Sequence, residues 1–251
     1  MCILCEAKQL KLGELTSPSR RRVLKLATAA SVAAPLSLGA TSAALASNPP
    51  KPDNVLSPDE ALERLMKGNE RYVSGDTRAV NFDNTRAALV KGQNPYASLV
   101  SCADSRIGPE YAFDEERGDL FVTRVAGNFV NTDILASLEY GAAVLGSPLI
   151  MVLGHTSCGA IGAAVQAVTQ NASFPGHIQS LTTALAPAVR AVVNKTKPED
   201  LVMAATIENV RQNVQMLQQA TPILSELVVQ AKLKVVGGVY HLDTGKVELV
   251  S

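Results

Sequence analysis

The sequence predicts an α/β fold with a mostly parallel central sheet, flanking helices and an antiparallel edge strand. Short apolar runs, typical of buried strands, alternate with segments of helical periodicity, and this alternation is characteristic of parallel sheets. The chain has 251 residues, of which 47% are hydrophobic and 18% charged, so it can bury a substantial core. The predicted strands cover residues 96–101, 120–123, 149–153 and 233–239.

Composition excludes several classes of function. The 23 Lys and Arg residues are balanced by 23 Asp and Glu, so no excess positive charge is available to neutralise a nucleic-acid backbone. The chain has no Trp and only 4% aromatic residues, which argues against a stacking platform for single strands. We therefore expect no nucleic-acid partner.

The amino-terminal segment resembles a twin-arginine export signal. Arg20 and Arg21 lie in the sequence Ser-Arg-Arg-Arg-Val-Leu-Lys, which departs from that signal only at Val23, where Phe is usual. The uncharged residues 26–50 follow, with a small-residue cleavage site ending at Ala46. We expect residues 1–46 to be a signal removed after export by the twin-arginine machinery, most simply into the periplasm. An uncleaved anchor is the alternative.

The domain organisation follows from this cleavage. Cys2 and Cys5 would leave with the signal, so their C-x-x-C spacing is not assigned to the folded domain. Residues 47–56 are rich in Pro and predict an extended linker, and residues 57–251 predict one folded domain.

The predicted helices are justified in chain order by caps and periodicity. Ser57, Pro58 and Glu60 form a capping pattern for a helix over residues 57–73, whose apolar stripe would pack on the core or on a partner subunit. The remaining predictions are helices over residues 134–145 and 159–170, two helices within 198–232 separated at Pro222, and a closing pair of strands over 240–250.

Polar clusters come directly after two of the predicted strands. Cys102, Asp104 and Arg106 follow residues 96–101, and His155 and Cys158 follow residues 149–153. Carboxyl ends of parallel strands meet at one edge of a sheet, where ligands bind. Two thiols and one imidazole form a zinc-ligand set that leaves a fourth position open, as catalytic sites require.

Alternatives for these residues remain at this stage. Cys102 and Cys158 could form a disulfide or be inert buried thiols, with His155 an ordinary helix N-terminal residue. A thiol redox role is a weaker hypothesis than these alternatives, because H-x-x-C lacks the second Cys of the C-x-x-C motif. The glycines around Cys158 do not match a nucleotide-binding pattern. His177 and His241 have no nearby ligand partner and are interpreted as surface or hydrogen-bonded histidines.

The combination C-x-D-x-R followed by H-x-x-C resembles the signature of the β-class carbonic anhydrases. The resemblance covers residues 57–250 and includes Gly-Gln-x-Pro at 92–95 and Arg-Val-Ala-Gly-Asn at 124–128. It implies the following roles: Cys102, His155 and Cys158 bind one zinc per chain, Asp104 and Arg106 form a dyad beside the metal, and Gln93 hydrogen-bonds the substrate.

The resemblance also implies an activity and an assembly. The expected protein is a homodimer or larger homo-oligomer, with its first helix on a partner subunit, that interconverts CO2 and bicarbonate through a zinc-bound hydroxide. Asp104 would accept a hydrogen bond that favours hydroxide, and Arg106 would hold its carboxylate. The rival hypotheses are a hydrolase of CO2-like molecules, such as carbonyl sulfide or carbon disulfide, and a non-catalytic zinc-binding homologue.

Two departures from one subclass of this family predict how the site is regulated. That subclass has Trp three residues before the first Cys ligand and Gly immediately before it, where this chain has Leu99 and Ser101. Both departures weaken a second bicarbonate site. We therefore expect an open site in which Asp104 is held by Arg106.

Overall fold

The structure, a computed structural model, describes residues 55–79, 86–87 and 89–250. The predicted signal, its cleavage site, Cys2, Cys5 and nearly all of the predicted linker lie outside these residues. The described part begins just before the first helix.

Five strands form one sheet in the order β2-β1-β3-β4-β5. The first four strands run parallel, and β5 pairs antiparallel with β4 at the edge. The predicted fold class is therefore confirmed. The strands are β1 (Ala97–Ser101), β2 (Leu120–Arg124), β3 (Leu149–His155), β4 (Lys234–Tyr240) and β5 (Val247–Val250).

The helices flank this sheet, and two of them were not expected from the sequence. These are the short α2 and the fifteen-residue α5, which contains Pro187. No helix in the described part of the chain combines the length and apolar content needed to cross a bilayer. The helices are α1 (Pro58–Ser74), α2 (Pro109–Ala112), α3 (Thr132–Ala143), α4 (Gly159–Gln170), α5 (Ile178–Val192), α6 (Leu201–Gln219) and α7 (Ile223–Val229), with a 3-10 turn at Pro198–Asp200.

The central strands are buried on both faces, as parallel strands between helical layers must be. Alternate side chains of β3 enter different cores: Met151 joins Leu65 of α1 on one face, and Val152 joins Leu138 of α3 on the other. A third cluster, at the carboxyl ends of β1 and β3, contains Cys102 and Cys158 together with apolar side chains of α4, α5 and α6. The helical layers thus enclose this end of the sheet.

Helix α1 begins with the predicted capping box and packs on the sheet of its own chain. The Ser57 side chain accepts from the Glu60 backbone, and Glu60 accepts from the Ser57 backbone N–H at 2.8 Å. Ala61 and Leu65 are fully buried in the core. Asn69 fixes the other end, because its amide joins the carbonyls of Ala112 and Gly245. Packing of α1 on a partner subunit stays a prediction.

Candidate metal centre

Neighbouring strand ends bring the three predicted ligands together. Cys102 lies one residue beyond β1, and Cys158 caps the N-terminus of α4. His155 is the last residue of β3, two residues beyond the predicted end of that strand, because residues 154 and 155 still pair with β4 opposite Val239 and Tyr240. The backbone of the His ligand is thus held within the sheet.

The three ligating atoms form a compact, buried cluster. The Sγ atoms of Cys102 and Cys158 are 4.0 Å apart, and all ligating atoms, including one nitrogen of His155, lie within 4.8 Å of one another. Both thiols are free, and their separation is about twice a disulfide bond length. Among the described residues this is the one group of three or more potential metal ligands that comes together.

The imidazole of His155 is oriented as a metal-bound histidine requires. Its Nδ1 lies 2.9 Å from the Thr156 carbonyl oxygen, which fixes the ring when Nδ1 donates. Its Nε2 is buried and has no hydrogen-bond partner in the described structure. A buried ring nitrogen without a partner, facing two thiols, fits a zinc ion as its missing ligand.

The electrostatics of the cluster favour a thiolate at Cys102. Contact with the Cys158 thiol, followed by His155 and the Gly127 backbone, lowers the pKa of Cys102 despite burial. Contact with the Cys102 sulfur, together with burial, raises the pKa of Cys158. Burial alone would lower the pKa of His155, but the Cys102 thiolate outweighs it and raises that pKa. The cluster therefore attracts a cation.

Asp104 and Arg106 form an ion pair beside the cluster. Arg106 donates to Asp104 through Nε at 2.9 Å, through a terminal guanidinium nitrogen at 2.7 Å and through its backbone N–H at 2.9 Å. This guanidinium holds the pKa of Asp104 far below its usual range. The carboxylate Oδ2 is 3.9 Å from His155 Nε2, so it lies next to the position that a metal would occupy.

Backbone contacts around Cys102 were not expected from the sequence. The Gly127 N–H donates to Cys102 Sγ at 3.3 Å. Arg124, at the end of β2, donates to the carbonyls of Cys102, Asp104 and Ile107 at 2.7–2.9 Å. The Arg-Val-Ala-Gly-Asn sequence was the available signal for both contacts, but it had been used only as a mark of family resemblance.

Gln93 does not join this cluster within one chain. It is exposed in the segment before β1, whereas Cys102 follows β1. β1 spans Ala97–Ser101, and at about 3.3 Å per residue its four steps separate the two ends of the strand by about 13 Å. The other two histidines are also apart from the cluster: His177 caps α5, and His241 lies 3.3 Å from Glu248.

The two positions that distinguish the subclasses are both inside the sheet. Leu99 is fully buried in the core on the α1 face. Ser101 is fully buried, and its hydroxyl lies 3.4 Å from the Cys102 carbonyl. The contact expected between Asp104 and Arg106 is present.

Comparisons with known proteins agree with this site. A family model described as carbonic anhydrase matches residues 97–247. Carbonic anhydrase 2 of Mycobacterium tuberculosis is 36% identical over 194 residues, covering 76% of this chain and 92% of that protein. The carbonic anhydrase of Mycolicibacterium smegmatis is 33% identical, covering 77% and 94%.

Solved structures are similar over the same region. The β-carbonic anhydrase CcaA superposes with a TM-score of 0.61 at 26% identity, covering 76% of this chain and 92% of that one. A Coccomyxa β-carbonic anhydrase in complex with acetazolamide gives a TM-score of 0.59 at 25% identity, covering 75% and 85%.

Proposed function

Because this chain belongs to the β-class carbonic anhydrases, we propose that its metal centre interconverts CO2 and bicarbonate, with one zinc held by Cys102, His155 and Cys158. The observation that carries this assignment is the buried cluster itself. Three ligating atoms lie within 4.8 Å of one another, and His155 Nε2 has no hydrogen-bond partner among the described residues. Three ligands leave one tetrahedral position for water or substrate.

Residues of the chain supply the surroundings of that fourth position. When bound, zinc supplies the Lewis acidity that makes a coordinated water nucleophilic near neutral pH, which is the chemistry needed to hydrate CO2. Asp104 lies next to this position and can accept a proton in a hydrogen bond. Arg106 holds the carboxylate through two guanidinium contacts, so Asp104 orients its hydrogen-bond partner without becoming a metal ligand.

Gln93 contributes to this chemistry only if two chains combine. Within one chain it precedes β1, whereas Cys102 follows β1, so the two residues lie toward opposite ends of that strand. A role for its amide in substrate binding therefore requires that Gln93 of one chain approach the metal centre of another. We propose that the enzyme is a homodimer or larger assembly with composite sites of this kind.

Zinc content and CO2 hydration, measured together, test the proposed function. The purified protein should hold about one zinc per chain and hydrate CO2 in stopped-flow assays. His155→Gln should lose both metal and activity, and His177→Gln is the matched control because it changes a histidine outside the cluster. Full zinc content in His155→Gln would refute the ligand assignment.

The same assay separates the rival activities. A fully metallated protein without CO2 hydration would be a non-catalytic homologue. Hydrolysis of carbonyl sulfide or carbon disulfide without competition by CO2 would identify the alternative substrate class. Hydration activity that follows zinc content across variants would support the carbonic anhydrase.

Export by the twin-arginine route to the periplasm is a further part of the proposal, and it rests on the sequence of residues 19–25 and 44–46. Changing both Arg20 and Arg21 to Lys preserves the charge and should block export. Arg22→Lys is the matched control, since it changes the adjacent arginine. Normal export of the doubly substituted precursor, measured by cell fractionation, would exclude this route.

A further inference from the structure

Two buried asparagines on α6 hold the segment that follows β2. Asn209 and Asn213 are 3% and 7% exposed and lie one helical turn apart. The Asn209 amide donates to the Gly127 carbonyl at 3.0 Å, and the Asn213 side chain accepts from the Val130 N–H at 2.7 Å. Asn213 also donates to the Asn209 carbonyl oxygen and side-chain oxygen, so the two amides form one unit.

The held segment includes the backbone donor to Cys102. Gly127 has a φ of +86°, and a Cβ there would lie 2.6 Å from a Leu185 methyl group, so only glycine fits. Its N–H points at Cys102 Sγ at 3.3 Å. Asn209 holds the carbonyl of the same residue, which belongs to the next peptide unit.

These asparagines differ from the other buried polar residue on the same helix. Thr206 is 1% exposed, and its hydroxyl is satisfied within α6 by the Val202 carbonyl at 2.8 Å. Asn209 instead donates to a different segment. Burying a side-chain amide is costly unless it is hydrogen-bonded. The hydrogen bond from Asn209 to Gly127 therefore indicates that Asn209 positions the segment that contains Gly127.

The contact matters because sulfur is the ligand atom. A hydrogen bond to a thiolate withdraws charge from it, so the sulfur donates less charge to a bound metal. Two thiolates formally cancel the charge of a zinc ion, which makes a coordinated water harder to ionise. A backbone N–H on one sulfur restores part of the lost acidity without adding a charged side chain.

We propose that Asn209, supported by Asn213, is a positioning residue for the metal centre: it holds residues 127–130 so that the Gly127 N–H remains on the Cys102 thiolate. The inference rests on the proposed role of Cys102 as a ligand. It predicts that a side chain on α6, which touches neither metal nor substrate, tunes the metal–sulfur bond.

Cobalt substitution tests this without relying on activity. Thiolate-to-cobalt charge-transfer absorption should appear in the unaltered protein. In Asn209→Leu it should shift to longer wavelength, because the sulfur electrons are no longer stabilised by the N–H. Zinc affinity, measured by chelator competition, should fall about tenfold, because the Cys102 sulfur is no longer held in its ligating position, and this outweighs its greater charge donation. Asn213→Leu should shift the band in the same direction by less. Asn209→Ala is measured alongside, since it adds no bulk.

Thr206→Val is the matched control, because it also removes a buried polar group from α6. It should lower the thermal midpoint and leave both the band and the affinity unchanged. An Asn209 variant that loses stability with no change in band or affinity would show a purely structural role and overturn the proposal. Absence of any thiolate band in the unaltered protein would refute the ligand assignment itself, which keeps the two failures distinct.

Discussion

Arg106 connects the two loops that carry the candidate metal ligands. It binds both oxygens of Asp104 and also donates to the Ser157 carbonyl at 3.2 Å. The loop after β1 and the loop after β3 are therefore joined by one guanidinium. A lysine at this position carries the charge but cannot supply the planar pair of donors.

We expect Arg106→Lys to lower kcat/KM for CO2 hydration about tenfold or more while zinc content stays unchanged, since Asp104 loses its fixed orientation. Stopped-flow assays and metal analysis of the same preparation measure both quantities. Arg190→Lys, on the exposed side of α5, should behave like the unaltered protein. Full activity in Arg106→Lys would show that the paired guanidinium contacts to Asp104 are dispensable.

The sequence predicted side chains of the site better than backbone contacts. Cys102, His155 and Cys158 were found because their spacing after two strands is informative about metal chemistry. Gly127 was not assigned a role because a backbone N–H has no residue type of its own. Asn209 was missed because its partner lies far along the chain, and only the folded structure brings the two together.

Helix α1 is attached to the rest of the fold by ion pairs to buried carboxylates. Arg64 contacts Glu115 at 2.8 Å, and Arg71 contacts Asp114 at 2.6 Å. Arg78, just beyond the helix, contacts both carboxylates. Burial would raise the pKa of Asp114, but the guanidiniums of Arg71 and Arg78 outweigh it and hold that pKa below its ordinary value.

This lowered pKa gives a pH-dependent prediction. The ionised carboxylate stabilises the fold at neutral pH, and the contribution is lost as pH falls below about 4, where the unfolded Asp side chain already binds a proton. Asp114→Asn should therefore lower the free energy of unfolding by about 2 kcal/mol at pH 7, and the difference should narrow toward pH 3.5.

Urea unfolding of Asp114→Asn and of the unaltered protein between pH 7 and pH 3.5 measures this difference in the free energy of unfolding. Any loss of metal at low pH is common to the two proteins. Asp243→Asn, in the exposed turn before β5, is the matched control. A difference between Asp114→Asn and the unaltered protein that stayed constant with pH would contradict the electrostatic explanation.

The elements marked by a capping pattern or by an apolar run were predicted from the sequence, and the fifteen-residue helix α5 was not. The capping box located the start of α1, and continuous apolar runs located β1 to β4. Helix α5 has apolar residues at 181, 185, 189 and 192, a helical spacing, but it was not among the predicted helices, and its interior Pro187 is a residue type that disfavours helices. Strand β3 was predicted too short because Gly154 and His155 become part of it only by pairing with β4.

We propose that Gln93 acts in the metal centre of a second chain, so that one chain alone is insufficient for activity. Mixing two inactive variants tests this. Gln93→Ala retains the metal ligands, and Cys158→Ser retains Gln93. Each alone should have little activity, but a mixed dimer contains one intact composite site. Co-refolded mixtures should recover about a quarter of the unaltered activity, since half of random dimers are mixed and each has one working site.

Assembly of each mixture is checked by size-exclusion chromatography before the assay. Mixtures that form dimers yet stay inactive would place the action of Gln93 within its own chain or outside catalysis altogether. Full activity of the Gln93→Ala variant on its own would show that Gln93 is not part of the active site.

The pairing of β3 with β4 has a consequence for synthesis on the ribosome. Leu149 lies opposite Lys234, so the strand carrying His155 keeps an uncovered edge until residues 234–240 have been translated. All three ligands emerge well before the strand that holds one of them in place. A nascent chain therefore exposes the edge of a largely apolar strand, a template for aggregation, and can acquire its metal in a defined geometry only after β4 has been translated.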